Sequence, residues 1–268
     1  MDVESSSEAE ASRPNAARMY DYFLGGSEHV AVDREAAGRI LEVFPGCTCY
    51  LRNNRAFLRR AVHHVAAAGV AQFLDLGSGL PTAGTVHEIA QHHDPRARVS
   101  YVDFDPVVVR RTRELLGPSE GRATITQEDV RDPERVLNAP GVAGLLDFDR
   151  PVALLVVGVL PFLHDTERTR ALLARYLDAL APGSYLGWSH IAALDRTAAE
   201  LDTALQVLSD TATPERSRTL DECRALLPAG LTWTDPGIVP AAQWRPEHPA
   251  SASEISASNC YVALGRKQ

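Results

Sequence analysis

The chain has 268 residues, of which 45% are hydrophobic and 23% are charged, and its formal net charge is −8. These values are ordinary for a globular protein, and the acidic balance disfavours a nucleic-acid-binding protein, which is usually basic. No apolar run approaches the roughly 18 residues that a membrane span needs, and the acidic, serine-rich start is unlike a signal peptide. The sequence therefore predicts a cytoplasmic protein without a nucleic-acid or membrane partner.

The N-terminal quarter has a helical pattern. Residues 1–13 are too polar to bury a core and are predicted to be a disordered tail. A first helix is expected at 15–24 and ends at Gly25-Gly26. A second helix begins at an N-cap, Asp33, and ends at Pro45-Gly46, and a third covers 51–68 and ends at Gly69. We expect residues 14–268 to form one domain, in which these helices, within 14–69, cap a core formed by 70–268.

Strands and helices alternate after residue 69, which is typical of a parallel sheet covered on both faces. The first five predicted strands are 71–76, 98–103, 123–127, 151–157 and 184–189. Helices are predicted between them at 82–93, 106–116 and 166–180. Two further helices, at 195–209 and 217–227, precede two late strands at 230–234 and 259–265. The proline-, alanine- and serine-rich segment 236–257 is predicted to be a loop.

A glycine turn follows the first predicted strand, and an acid ends the second. The turn is Gly77-Ser78-Gly79 and the acid is Asp103, 24 positions after Gly79, which leaves room for one helix and a short loop. This βαβ arrangement is typical of nucleoside binding, because the backbone comes close at the glycines and the carboxylate binds the ribose hydroxyls.

Three details indicate which nucleoside is bound. The dehydrogenase pattern Gly-x-Gly-x-x-Gly is broken, because Thr82 stands where the third glycine belongs. Asp75 lies inside the apolar strand, where a buried carboxylate must be bonded by the turn amides or, through water, by an amino group of the ligand. No Gly-x-x-x-x-Gly-Lys-Ser/Thr pattern occurs, which excludes a Walker-type ATP site.

The string Leu74-Asp-Leu-Gly-Ser-Gly79 resembles the first motif of Rossmann-like S-adenosylmethionine-dependent methyltransferases. Longer motifs resemble one actinobacterial family of these enzymes, long catalogued as a domain of unknown function. These motifs are Ala17-Arg-Met-Tyr-Asp-Tyr-Phe-Leu-Gly-Gly26, Asn54-Arg-Ala-Phe-Leu58, Gln72-Phe-Leu-Asp-Leu-Gly-Ser-Gly-Leu-Pro-Thr82 and Trp244-Arg-Pro246. The resemblance extends over nearly the whole chain from Pro14 onward.

This resemblance implies an α/β fold: a seven-stranded, mostly parallel Rossmann-like sheet with helices on both faces, an antiparallel last strand and an N-terminal helical lid. It also implies S-adenosylmethionine as the cofactor, with Asp75, Gly77, Ser78 and Gly79 in the first motif. Asp103 would take the ribose hydroxyls and Phe104 the adenine face, although Phe104 could equally be core. The remaining implied contacts are Asp129 with Val130 for adenine, and Gly158 with Val159 for the methionine arm.

The methionine carboxylate and the proton of the acceptor need further partners. Arg18 and Arg55 are candidates for bidentate pairing with the carboxylate, and Tyr22 could hydrogen-bond it; each could instead be structural. His190, after the fifth strand, is the best candidate general base, and a structural histidine is the competing interpretation. His164 and Asp165 come second for this role.

The sequence thus predicts a methyltransferase acting on a small-molecule acceptor, with the choice between monomer and homodimer left open. A catalytically inactive regulatory protein that keeps the cofactor pocket is the alternative, since no acceptor motif is present. A nicotinamide-dependent oxidoreductase is disfavoured by Thr82. Cys47-x-Cys49 lacks a second pair at zinc spacing, so no metal site is expected.

Overall fold

The computed structural model describes residues 13–81, 84–117, 121–207 and 215–268. Three helices come first: α1 (Ala16–Leu24), α2 (Ala31–Val43) and α3 (Cys47–Ala67). Strands and helices then alternate: β1 (Gln72–Leu76), α4 (Val86–His93), β2 (Arg98–Asp103), α5 (Pro106–Leu116), β3 (Ala123–Gln127), α6 (Pro133–Asn138), α7 (Pro140–Ala143), β4 (Ala153–Val156), α8 (Thr166–Asp178), β5 (Tyr185–Ile191) and α9 (Ala198–Val207). The C-terminal part contains α10 (Leu220–Leu226), β6 (Leu231–Trp233), β7 (Val239–Pro240), α11 (Ala252–Ala257) and β8 (Cys260–Lys267).

The strands form one sheet of eight, in the order β3-β2-β1-β4-β5-β8-β6, with β7 paired to β8. Strands β1 to β5 are parallel, whereas β8 is antiparallel to β5, β6 and β7. The chain order reverses between β1 and β4, where the crevice at the carboxyl ends of parallel strands is the usual ligand site. The Rossmann-like, mostly parallel sheet with an antiparallel last strand is confirmed.

Both faces of the sheet are covered, as the continuous apolar run of β4 requires. Leu155 packs into a core shared with the N-terminal helices, including Phe57 and Val62 of α3. Its neighbour Leu154 points to the opposite face and packs with Leu173 of α8. The N-terminal helices therefore cover one face of the sheet, next to the crevice.

Local capping explains several predicted boundaries. Asn15 caps α1 by accepting from the Arg18 amide, and Gly25 ends that helix in the left-handed region at φ +82°. Asp105 accepts from the Val107 amide and precedes Pro106, so it is the N-cap of α5.

Segment 236–257, predicted to be a loop, contains β7, a 3₁₀ turn at Ala241–Gln243 and α11. Strand β7 adds to β8 and makes eight strands instead of the expected seven. Helix α11 begins at a capping box in which Ser251 and Glu254 bind each other's backbone amides, a signal that composition alone does not show.

Other boundaries also differ from the expectation. Helix α2 begins at Ala31, so Asp33 lies in its first turn and accepts from the Val30 amide instead of standing at the N-cap. Helix α3 begins four residues earlier than expected, at Cys47, while α6 and α7 were not predicted. The predicted tail 1–13, apart from Arg13, lies outside the described residues, as does Thr82. Over the described ranges, the longest apolar helical stretches fall short of what a membrane span requires.

Candidate active site

The glycine turn after β1 is tied to the end of β2. The Gly77 and Ser78 amides donate to the Val102 carbonyl at 2.8 and 3.2 Å, and the Gly79 amide donates to Oδ2 of Asp103 at 2.9 Å. The turn and the acid that the sequence singled out therefore meet at one corner of the crevice. The hydrogen bond between them fixes the position of the carboxylate relative to the backbone of the turn.

The two glycines of this turn serve different purposes. Gly77 has φ +64°, and a Cβ placed there would lie 2.5 Å from Cγ2 of Val159, so close packing excludes a side chain. Gly79 has φ +61°, and its Cβ would meet nothing within 4 Å. The turn is thus closed toward the loop after β4 at Gly77, and open at Gly79, where a ligand can approach the backbone.

Asp103 and Phe104 form the second half of this corner. Asp103 is 6% exposed, and besides the Gly79 amide it accepts from the Asp105 amide at 3.0 Å, which leaves lone pairs on both carboxylate oxygens. Burial raises the pKa of Asp103 to about 6, against the opposing effect of backbone hydrogen bonds, those from the Asp105 and Gly79 amides foremost. The ring of Phe104 is 56% exposed, so it is not the core residue that the competing interpretation required.

Behind the turn lies a cavity of about 10 Å³, enough for one water molecule, between the cap and the sheet. Arg55 of α3, Asp75 of β1 and Tyr101 of β2 line it together with Ser78 and Gly79. Burial raises the pKa of Asp75 to about 7, with the nearby Arg55 guanidinium lowering it and Asp103 raising it. The structure thus brings the predicted Arg55, Asp75 and turn residues together.

The loop after β4 forms the other wall of the crevice and touches the cap. The Gly158 amide donates to Oγ of Ser189 at 2.8 Å, and a Cβ on Gly158 would lie 3.1 Å from Nδ2 of Asn54. That same Nδ2 donates to the Tyr20 hydroxyl at 3.2 Å. Helices α1 and α3 therefore close over the turn at Gly158, where the methionine arm is predicted.

Sequence reasoning did not assign Asn54, Tyr101 or Thr85 to the site. Tyr101 pairs in register with Asp75 and shares the face of β2 with Asp103, so the two-residue period of a strand was an available signal. Thr85 caps α4 and lines the same cavity as Asp75. Asn54 reaches Gly158 only through the packing of α3, which no local pattern predicts.

The guanidinium of Arg18, a predicted ligand of the methionine carboxylate, pairs with Asp33 of α2. Its Nε and Nη2 bind Oδ2 and Oδ1 of Asp33 at 2.6 and 3.1 Å, and both side chains are buried. Nη2 also donates to the Arg13 carbonyl at 2.8 Å. This pairing joins α1 to α2, so it favours the structural interpretation of Arg18 over a role as carboxylate ligand.

Three other residues predicted to contact the cofactor, Tyr22, Asp129 and Val130, make contacts within the protein. The Tyr22 ring packs edge-on against the His29 ring, with 5.0 Å between centroids. Asp129 is bonded by Nε of Arg131 at 2.9 Å, and hydrogen bonds and charge from this arginine lower the pKa of Asp129. The Val130 carbonyl accepts from the Tyr176 hydroxyl at 2.9 Å. The adenine contact expected of Asp129 would therefore compete with its ion pair to Arg131.

His190 is fully buried at the end of β5, and both ring nitrogens have partners. Nε2 accepts from Nη1 of Arg218 at 2.8 Å, which leaves Nδ1 to donate to the Ile191 carbonyl at 2.8 Å. Burial lowers the pKa of His190 to about 4. This geometry argues against a general base at His190, because a ring that is enclosed and bonded on both sides has no nitrogen with which to take a proton from an acceptor.

Of the second pair of candidates, Asp165 caps α8 by accepting from the Arg168 amide at 2.9 Å, whereas the side chain of His164 is exposed. The four cysteines are free thiols. Across the described ranges, histidine, cysteine and carboxylate side chains do not gather in groups of three or more that could hold a metal ion.

Comparisons with known proteins bear on this arrangement. A family model described as S-adenosyl methyltransferase matches residues 2–268. A solved structure of a DUF574-family protein from Streptomyces avermitilis MA-4680 is 35% identical, covers 97% of this chain and 99% of its own, and has a TM-score of 0.88. A solved structure from Thermobifida fusca YX is 36% identical over 96% of each chain, with a TM-score of 0.87. The search of the curated proteins found no match.

The open backbone at Gly79, the carboxylate of Asp103 and the exposed ring of Phe104 are the groups that an adenosyl moiety needs, and they stand at one corner. The match to the family model extends over nearly the whole chain, cap and core alike. The sequence resemblance is therefore confirmed: the chain belongs to the S-adenosyl methyltransferase family, and its cofactor is S-adenosylmethionine.

Proposed function

We propose that this protein transfers a methyl group from S-adenosylmethionine to a small-molecule acceptor. The observation that carries the proposal is the corner at which the Gly79 amide binds Oδ2 of Asp103, beside the exposed Phe104 ring. The cap helices that meet the loop at Gly158 and the net charge of −8 support a small, enclosed acceptor over a nucleic acid.

The adenosyl end has its partners at this corner. Asp103 would accept from the ribose hydroxyls with the lone pairs that its two backbone donors leave unused. Phe104 would lie along the adenine, since its side chain is exposed at this corner. Gly79 would let the nucleoside approach the backbone without a side chain in the way.

The methionine end would lie toward Asp75 and Arg55. The carboxylate of Asp75 would accept a hydrogen bond from the ligand's amino group, either directly or through one water molecule in the cavity that Asp75 lines. Arg55 lines the same cavity from the cap side and suits the ligand's carboxylate. Asp129 would assist the adenine only if its ion pair with Arg131 rearranges.

The bound cofactor supplies a methyl group that is already activated by its positive sulfur. The chain's own residues then have three tasks: to hold the acceptor in line, to exclude water, and to accept any proton that the acceptor loses. The contact of Asn54 with Tyr20 and with Gly158 closes the cap over the site and serves the second task.

Two measurements on the purified full chain test this proposal. Titration calorimetry should show that S-adenosylmethionine and S-adenosylhomocysteine bind, and that Asp103→Ala weakens binding at least tenfold, or about 1.4 kcal/mol. Incubation with pools of small-molecule acceptors should then release S-adenosylhomocysteine. Binding without turnover across the pools would favour the regulatory alternative. No binding at saturating ligand would refute the proposal.

A further inference from the structure

A second cavity, of about 60 Å³, lies between the cap and the carboxyl end of β5. Its walls are apolar and aromatic: Ala16, Met19, Tyr20, Phe23, Ile40, Phe44, Cys47, Tyr50, Leu51, Phe162, Ile191 and Leu205, with Glu215. A single water needs roughly 10–15 Å³ of such space, so the cavity has room for a few atoms and suits one end of a ligand. This site is distinct from the water-sized cavity at Asp75.

Glu215 is the one charged residue among these described lining residues. Within the described part of the chain, no hydrogen bond or ion pair reaches its carboxylate, and burial alone raises its pKa to about 7. The titratable groups around it are the Tyr20, Cys47, Tyr50 and Cys260 side chains, whose pKa values are raised chiefly by their own burial and further by the charge of Glu215. An ionised carboxylate surrounded by neutral groups lowers the stability of the protein unless a ligand donates a hydrogen bond to it.

One basic side chain beside this cavity, that of Arg196, is already paired. Arg196 lies over the Phe44 ring, 4.4 Å from its centroid, and its Nε binds Oδ1 of Asp195 at 2.8 Å. Its charge lowers the pKa of the Cys47 thiol, against the larger effect of burial and the effect of Glu215. Arg196 makes no ion pair with Glu215 among the described contacts, so the carboxylate keeps its capacity to accept a proton or a donor.

The cavity adjoins the predicted methyl-transfer position. The Tyr20 hydroxyl donates to the Leu51 carbonyl at 3.3 Å, and both residues line the cavity. Asn54 bonds that hydroxyl and also touches Gly158. Arg55, one turn after Leu51 on α3, lines the cavity of Asp75 and Gly79. One turn of helix α3 thus separates the Glu215 cavity from the cofactor pocket.

We propose that this cavity receives the reactive end of the methyl acceptor, an apolar or aromatic group bearing one hydroxyl or amino function, and that Glu215 accepts the proton of that function. The inference rests on the proposed methyl transfer. In the step, a lone pair of the acceptor oxygen or nitrogen forms the bond to the methyl carbon, and the carbon–sulfur bond breaks with its electron pair on sulfur. The O–H or N–H proton passes to Glu215, which later releases it to water.

This assignment accounts for the base that His190 does not provide. Both ring nitrogens of His190 are hydrogen-bonded within the protein. The Glu215 carboxylate, in contrast, faces the cavity and has no hydrogen-bond or ion-pair partner among the described residues. A base whose pKa lies near neutral pH can both take up and release a proton during turnover. The aromatic walls from Tyr50 and Phe162 would orient a flat acceptor.

The test measures binding of two probes, phenol and benzylamine, by titration calorimetry to the full chain saturated with S-adenosylhomocysteine. We expect both probes to bind and Glu215→Gln to weaken both at least fivefold, with the affinity for S-adenosylhomocysteine unchanged. The matched control is Glu167→Gln, the same change at a glutamate whose side chain is 74% exposed on α8, and it should alter neither. Ala16→Leu, which fills the cavity and leaves Glu215 in place, should also abolish probe binding.

A second readout follows the carboxylate itself. In protein labelled with ¹³C at glutamate carboxyls, one signal should titrate near pH 7, disappear in Glu215→Gln and shift to lower pH when benzylamine binds. The proposal is overturned if the wild type binds S-adenosylhomocysteine but neither probe, or if both cavity variants bind the probes as tightly as the wild type does. Those outcomes leave the proposed methyl transfer standing, whereas failure to bind S-adenosylhomocysteine refutes both.

Discussion

Asp75→Asn should stabilise the protein without cofactor, and more so at high pH. Burial raises the pKa of Asp75 from 3.8 to about 7, so the folded protein holds this proton more tightly than the unfolded chain does. Stability contributed by this group is therefore present at low pH and is lost as the pH rises from about 4 to about 7. Asparagine keeps the shape of the side chain and removes the charge that causes this loss.

The size of the effect follows from the two pKa values. Each pH unit between them corresponds to about 1.4 kcal/mol, so the charged carboxylate costs roughly 4 kcal/mol at pH 8 and about 1.5 kcal/mol at pH 5. The variant should thus gain about 2–3 kcal/mol more at pH 8 than at pH 5, relative to the wild type. Other groups that titrate in this range are common to both proteins and cancel in the comparison, except Asp103, whose charge interacts with that of Asp75.

Urea unfolding of the wild type and of Asp75→Asn at pH 5 and pH 8, without cofactor, measures this difference. Calorimetry on the same two proteins should show weaker binding of S-adenosylmethionine to the variant, because the ligand's amino group loses a carboxylate partner. Equal stability changes at the two pH values would contradict the assigned pKa. A destabilised variant at pH 8 would mean that the carboxylate is bonded and not merely buried.

Further substitutions separate folding roles from binding roles. Gly77→Ala should lower the free energy of unfolding by more than the about 1–2 kcal/mol that φ +64° implies, because the added methyl overlaps Val159. Gly79→Ala should cost only the backbone strain and should weaken cofactor binding. Thermal unfolding measures the stability changes, and calorimetry measures cofactor binding. Phe104→Ala should leave stability within about 0.5 kcal/mol and weaken cofactor binding, because the ring is exposed; equal affinity would remove it from the adenine site. Arg18→Ala should destabilise by about 3–5 kcal/mol in urea unfolding, because it leaves Asp33 buried and unpaired; a normal stability with weak cofactor binding would restore Arg18 as a ligand.

The sequence predicted the elements whose signals are local. Strand β3 and helix α5 have the predicted bounds, because alternation and the Asp105-Pro106 start are contained in the segments themselves. Segment 236–257 was predicted incorrectly because the pairing of β7 depends on β8, which comes 20 residues later in the chain. Proline and serine content describes a segment's composition and says nothing about a partner strand.

The residues of the candidate site also differ in whether a local sequence signal could identify them. The turn at Gly77–Gly79 and the acid at Asp103 could be found because they occupy fixed positions relative to their own strands. The pairing of Arg18 with Asp33 could not be predicted, since Asp33 lies on the next helix and only packing brings the two together. Glu215 lacked any local signal, because its importance comes from a cavity whose walls come from parts of the chain as far apart as Ala16 and Leu205.

Three carboxyls of the described structure, Asp75, Asp103 and Glu215, have pKa values raised chiefly by burial. Each therefore lowers the stability of the free protein at neutral pH, and a sequence selected for stability alone would replace them with neutral residues. All three lie along the crevice between the cap and the carboxyl ends of the strands, where the cofactor and its acceptor are expected. Asp75 and Asp103 are buried and Glu215 is partly buried, and at each of the three a ligand could supply a donor to the carboxylate. The positions that lower the stability of the free protein are thus the positions at which its proposed chemistry takes place.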